Sequence, residues 1–321
     1  MGHLISFFVS AVRSGMAYLY GSTGETLTEK SGHLNLGIPG IMCVGAACGC
    51  LTEDFYTEAM GGIERSNAVL MVLLPILAAF LGSMLMGVIY SFLTVTLRAN
   101  QNVTGLAMTT FGVGISNYMI SYATSTNFAR TSKFFTASLP FAAKLGWFGE
   151  MFLSYGAMVY LAIVIALLVS FVLTRTRIGL NLRSVGESPA TADAAGINVT
   201  RYRYLATMVG SGIAGLGGLC YIMDSLNGAW EYNIDAIGWL SIALVIFTLW
   251  KPNIGIFGSV LFGALSTASS YITGIANNQK ALLKMLPYVV TIIVLVVTSM
   301  RKKREYQPPA NLGINYFRED R

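Results

Sequence analysis

Long uncharged stretches recur along this chain, at residues 31–52, 67–97, 99–129, 151–174, 204–223, 236–250, 252–279 and 285–300. In lipid, an unpaired backbone amide or carbonyl costs several kcal/mol, so a spanning segment must satisfy its own backbone as a helix or join a closed barrel. Most of these stretches are long enough to cross a bilayer as helices. With 54% hydrophobic and only 11% charged residues and a mean hydropathy of +0.62, the chain cannot cover a water-facing surface. It reads as an all-α integral membrane protein. Counted back from a cytoplasmic tail, it has about nine transmembrane helices, within a range of about eight to ten. Nine requires residues 3–24 to span with an external N-terminus, against the cost of placing Arg13 near mid-membrane.

The net charge of +6 follows topology, and no nucleic-acid partner is expected. If residues 174–203 are cytoplasmic, the inner side collects Lys30, Arg98, Arg175, Arg177, Arg183, Arg201, Arg203, Lys251 and the run Arg301–Arg304. The outer side then holds only Arg65, Arg130, Lys133, Lys144, Lys280 and Lys284. The organisation expected is a transmembrane domain over residues 1–300, including a cytoplasmic loop at 175–203, and a cytoplasmic tail at 301–321. Gln307, Pro308 and Pro309 make that tail an extended or disordered end. No cleavable signal peptide is evident, because Arg13 follows the first apolar run.

Thirty-four glycines, densest at Gly210, Gly212, Gly215, Gly217 and Gly218, predict close helix crossings. Cys43, Cys48, Cys50 and Cys220 lie in or beside apolar segments without histidines at metal-ligand spacing, and read as packing residues. His3 and His33 are too few and too far apart for a metal site or proton relay.

Two stretches carry function. In the first, Ser188 can cap a helix, Pro189 suits its first position, and Gly196 suits a left-handed stop, so 189–195 reads as a short alanine-rich helix with Ala192, Asp193 and Ala194. Two turns are marginal in water, which points to a docking partner. In the second, polar residues 24–35 lead into an apolar span broken early by Gly37, Pro39 and Gly40. Such breaks persist where protein or a water-filled cavity satisfies the backbone. Asn35, Gly37, Pro39 and Gly40 are therefore candidate solute-path residues, a polar membrane-edge turn being the plainer reading.

Gly24–Glu25, Glu29–Lys30–Ser31–Gly32, Asn35–Leu36–Gly37, Arg98–Ala99–Asn100–Gln101, Arg175–Thr176–Arg177–Ile178–Gly179–Leu180 and residues 182–197 occur in an order that resembles one family. It is the permeases of ABC importers for ribose, simple sugars, nucleosides and branched-chain amino acids, and the opening motifs most resemble the nucleoside and simple-sugar branch. The resemblance implies a non-catalytic permease subunit in a bacterial cytoplasmic (inner) membrane with its C-terminus cytoplasmic. It also implies that 189–195 is the coupling helix docking in an ATPase groove, with Arg183, Glu187 and Asp193 at the rim. The partners implied are an ABC ATPase subunit, a second permease, identical or homologous, and an extracellular or periplasmic substrate-binding protein. ATP and Mg belong to the ATPase, and no cofactor is expected on this chain. Where that branch commonly has glutamate, this chain has Pro39, so a contact assigned to that acid is missing.

Riboflavin and simple sugars stay open beside nucleosides. A secondary transporter is disfavoured because, apart from Arg13, no charged residue falls well inside an expected span. An intramembrane enzyme is disfavoured because HExxH, GxSxG and paired-aspartate motifs are missing, and the chain has no P-loop pattern of its own. Trp230 and Tyr232, in the acidic segment 224–235, read as interface anchors or as a receiving surface for the binding protein.

Overall fold

Glycine pairs set how the helices meet in the structure, a computed structural model that describes residues 2–123, 125–138, 146–272, 276–301 and 307–317. Lys144 and the cations at 302–304 lie outside the described residues. The long helices are α1 (Gly2–Glu29), α2 (Ile38–Ala59), α3 (Ala68–Ser91) and α4 (Gln101–Ile120). Two short ones follow, α5 (Ser125–Phe135) and α6 (Gly146–Phe152). Next come α7 (Ala157–Arg175), α8 (Arg177–Glu187), α9 (Pro189–Ala194) and α10 (Val199–Cys220). The order closes with α11 (Asp235–Phe247), α12 (Pro252–Tyr271), α13 (Asn277–Lys284) and α14 (Leu286–Arg301).

Helices α1, α2 and α10 form the centre. A Cβ added to Gly210 would lie 2.5 Å from both the Gly24 carbonyl oxygen and Thr28 Oγ1, so α1 and α10 meet backbone to backbone. Gly45 faces Gly215 across α2 and α10, and Gly40 faces Gly112 across α2 and α4. Peripheral helices carry the aliphatic girdle: Leu73, Leu77, Leu81 and Leu85 recur every fourth residue on α3 and are exposed, as are Leu167, Leu168 and Phe171 on α7. Exposed leucines at helical spacing are what a lipid-facing surface requires.

Among the described residues, six segments are long and apolar enough to cross a membrane: Ile38–Ala59, Ala68–Thr96, Ala157–Arg175, Val199–Ser225, Pro252–Tyr271 and Asn278–Val297. The 236–250 stretch forms only the 13-residue α11, roughly 20 Å at 1.5 Å per residue and short of the hydrocarbon core.

The structure corrects two expectations. Residues 307–317 are packed rather than loose, for reasons given below. Carboxylates also lie inside helices: Glu25 and Glu29 in α1, Glu53 and Asp54 in α2, and Asp224 just past α10 are all buried. Apolar windows end where the charges begin, but the helices run on past them, so Arg13 is not the lone helical charge.

Two breaks are π-helical. Phe92–Thr96 ends α3, and Tyr221–Ser225 continues α10. Asparagines start the helices that follow turns: Asn67 Oδ1 accepts from Val69 N at 2.9 Å, and Asn198 Oδ1 accepts from Arg201 N at 2.9 Å.

Candidate functional site: the loop helix, the interrupted entry to α2 and a polar cavity

The short helix forms as its cap residues dictate. Ser188 Oγ accepts from Thr191 N at 3.4 Å, Pro189 takes the first position, and Gly196 ends it at φ +82°. Pro189 and Ala192 point inward, where Ala192 packs with Val185 and Val199. Ala190, Thr191 and Ala194 are exposed, leaving a small, low-relief outer face.

A tail strap holds this helix, and nothing in the composition announced it. Ala310 N donates to Glu187 Oε2 at 3.3 Å, and Asn311 N donates to the Gly186 carbonyl at 3.0 Å. Gly313 N donates to the Gly32 carbonyl at 3.1 Å, and Tyr316 donates its hydroxyl proton to Asp193 Oδ2 at 2.9 Å. Arg203, buried at the base of α10, donates to Asn311 Oδ1 at 3.1 Å and to the Ile314 carbonyl at 3.3 Å. Asn315 Nδ2 donates to the Arg98 carbonyl at 2.7 Å, and Arg98 stacks 4.8 Å from the Phe317 ring centroid. The tail segment 310–317 thus joins the loop helix, the α1–α2 turn and the α3–α4 turn. Glu187 and Asp193, expected at a partner's rim, hold this strap; Arg183 is half-buried beside them. The legible signal was the spacing of Asn311, Gly313 and Asn315, residues that accept turns and bond to backbone.

The entry to α2 is satisfied by protein side chains. Leu34 N donates to Gln101 Oε1 at 2.9 Å, and the Leu34 carbonyl accepts from the Tyr90 hydroxyl at 2.5 Å. Asn35 N donates to Glu25 Oε1 at 2.9 Å, and Thr109 donates to the Leu36 carbonyl at 2.8 Å. Asn35 Oδ1 accepts from Gly37 N at 2.9 Å, while its fully buried Nδ2 has no partner. Gly37 and Gly40 allow α2 to approach α4 closely, and Pro39 packs against Gly238 of α11. The four residues therefore come together, in a closed contact between helices. Nearby, Trp250 Nε1 donates to Glu29 Oε2. Burial, then the Arg203 charge, hold the His33 imidazole well below its usual range and therefore neutral.

A third feature is a cavity of about 410 Å3 between α1, α12 and the π-helical end of α10, lined by Arg13, Tyr18, Tyr221, Asn227, Ser266 and Tyr271 among others. Arg13 Nη2 reaches the Ser154 carbonyl at 3.4 Å, and Arg13 Nε is buried without a partner.

Helices buried on glycine contacts, girdled with exposed leucine, interrupted at one entry and joined by a capped loop helix define a polytopic membrane permease. The chain belongs to the family described as the branched-chain amino acid transport system / permease component, which it matches over residues 7–295. It is 30% identical to the nucleoside ABC transporter permease protein NupC of Lactococcus lactis, across 94% of this chain and 93% of that one. It is 29% identical to the guanosine ABC transporter permease protein NupQ of Bacillus subtilis, across 85% of each. It is 28% identical to an ABC transporter permease protein of Haloferax volcanii, TsgC13, provisionally assigned to glucose, across 97% of each. Among solved structures, an inward-facing ABC transporter shares the fold at a TM-score of 0.50 and 12% identity, over 91% of this chain and 85% of that one.

Proposed function

We propose that this chain is the permease subunit of an ATP-binding-cassette importer for a nucleoside, driven by a separate ATPase that binds ATP and Mg. The observation that carries this reading is full-length similarity to permeases named for nucleoside and guanosine transport. A simple sugar is the second reading, supported by the similarity to TsgC13. Both solutes present hydroxyls and no net charge. The decisive experiment is uptake by the whole importer, expressed with its neighbouring ATPase, second permease and binding protein. ATP-dependent guanosine uptake is expected, competed by adenosine or inosine and not by glucose. Uptake of glucose without guanosine would overturn the nucleoside reading in favour of the sugar.

In this reading the helices cross the cytoplasmic membrane with the 175–203 loop and the 301–321 tail on the cytoplasmic side. The outer face of α9, small and flat, suits an ATPase groove, and the strap fixes its angle. Closure of the ATPase pair around ATP moves α9, and the strap passes that motion to the turns entering α2 and α4. A second permease, the same chain or a related one, completes the pathway, and an external binding protein delivers solute.

Orientation is tested at two exposed alanines, Ala190 and Ala310, whose methyl side chains can be replaced without removing a polar contact. Cysteines placed there should resist a membrane-impermeant thiol reagent in intact cells and react once the membrane is opened. Reaction of both in intact cells would reverse the topology.

A further inference from the structure

We propose that the cavity between α1, α12 and the end of α10 is a binding subsite for a neutral, hydroxyl-rich solute, with Arg13 and Asn227 donating to its oxygens. The proposal rests on the permease reading above.

Charge placement is the first argument. Arg13 lies in the middle of α1, where a guanidinium is costly unless it faces a partner or a polar cavity. Its Nε is buried and unpaired, and its one long hydrogen bond runs to the Ser154 carbonyl. Asp224, buried nearby with neither carboxylate oxygen hydrogen-bonded, does not line the cavity, so Arg13 is the charged group on its wall.

Backbone geometry is the second. The helix widens to a π-turn at Tyr221–Ser225, then passes through left-handed Asn227 at φ +51° and Gly228 at φ +80°. Widened turns and left-handed non-glycine residues cost energy and recur at functional sites. Here they bring Tyr221 and Asn227 to the cavity wall.

The third is chemical fit. Tyr18 donates to Ser266 at 3.0 Å, and Ser10 pairs with the Tyr271 hydroxyl at 2.7 Å. Hydroxyls both donate and accept, and these pairs can exchange one another for the vicinal hydroxyls of a ribose, while tyrosine faces cover its apolar side. A volume of about 410 Å3 falls within the range of small-ligand pockets.

The test uses the complete importer with Ser14→Cys, a half-buried cavity position, and follows its modification by a small thiol reagent. Parallel labelling of the unmodified importer sets the background from the native cysteines. Guanosine should slow the modification at least about threefold. If the importer instead carries glucose, protection by glucose supports the subsite while the nucleoside reading fails. Arg13→Gln should raise the KM for uptake about tenfold or more with ATPase activity and assembly retained, and Arg13→Lys should recover part of it. Modification at one rate with and without every transported solute, or Arg13→Gln with unchanged KM, overturns the proposal. Loss of assembly in Arg13→Gln leaves the labelling result to decide.

Discussion

Asp193→Lys and Gly196→Val should each leave the permease in the membrane and abolish uptake. At Gly196 an added Cβ would meet nothing within 4 Å, so the substitution costs only its left-handed backbone, φ +82°. That is roughly 1 kcal/mol or more for a β-branched residue. Such a cost is too small to unfold the helical domain, yet it falls on the turn that aims α9 at α10. Asp193→Lys acts through charge: it removes the acceptor for Tyr316 and sets a third cation in the cavity already lined by Arg98 and Arg203. The strap then loses its hydrogen bond to the loop helix while keeping those to Gly186 and Glu187. Co-purification with the ATPase and solute uptake are the measurements, and the expected result is normal insertion, weakened association and no transport. If both variants held the ATPase at wild-type stoichiometry and transported normally, α9 would be an ordinary connector.

The second large effect is structural. Gly210→Leu should yield little folded permease, because even its first added carbon would overlap the α1 backbone at Gly24 and the Thr28 hydroxyl. Overpacking costs about 1–3 kcal/mol when side chains can shift. Here the main obstacle is backbone, so the helices must separate and the cost is higher. Gly114→Leu is the control, since that glycine is exposed and a Cβ added there would meet nothing within 4 Å. Size-exclusion of detergent-extracted protein should show a single peak for Gly114→Leu and aggregate or no protein for Gly210→Leu. Equal profiles would remove the close α1–α10 crossing.

What could be read from the chain alone follows from local physics. Lipid forces helices on uncharged stretches, so the all-helical class was legible from the spacing of those stretches. The loop helix was legible because Ser188, Pro189 and Gly196 act on their own backbone within one turn. Crowded glycines announced close crossings, although not which helices cross.

Other features depend on residues far apart in the chain, and only the tertiary structure decided them. The tail looked free because Pro308 and Pro309 cannot build a helix, but its order comes from acceptors at Gly32, Gly186 and Asp193. Buried carboxylates were missed because hydropathy falls where Glu25 and Glu53 begin, while neighbouring helices still cover those turns. Asn35 stood out in the sequence beside the break, but only packing brings its backbone N–H to Glu25, ten residues back on α1. Arg13 was a visible anomaly in the sequence, but its surroundings come from Ser154, the π-turn after α10 and α12, all distant in the chain. Local bonding is written into neighbouring residues, whereas burial and cavity walls exist only once distant helices have packed.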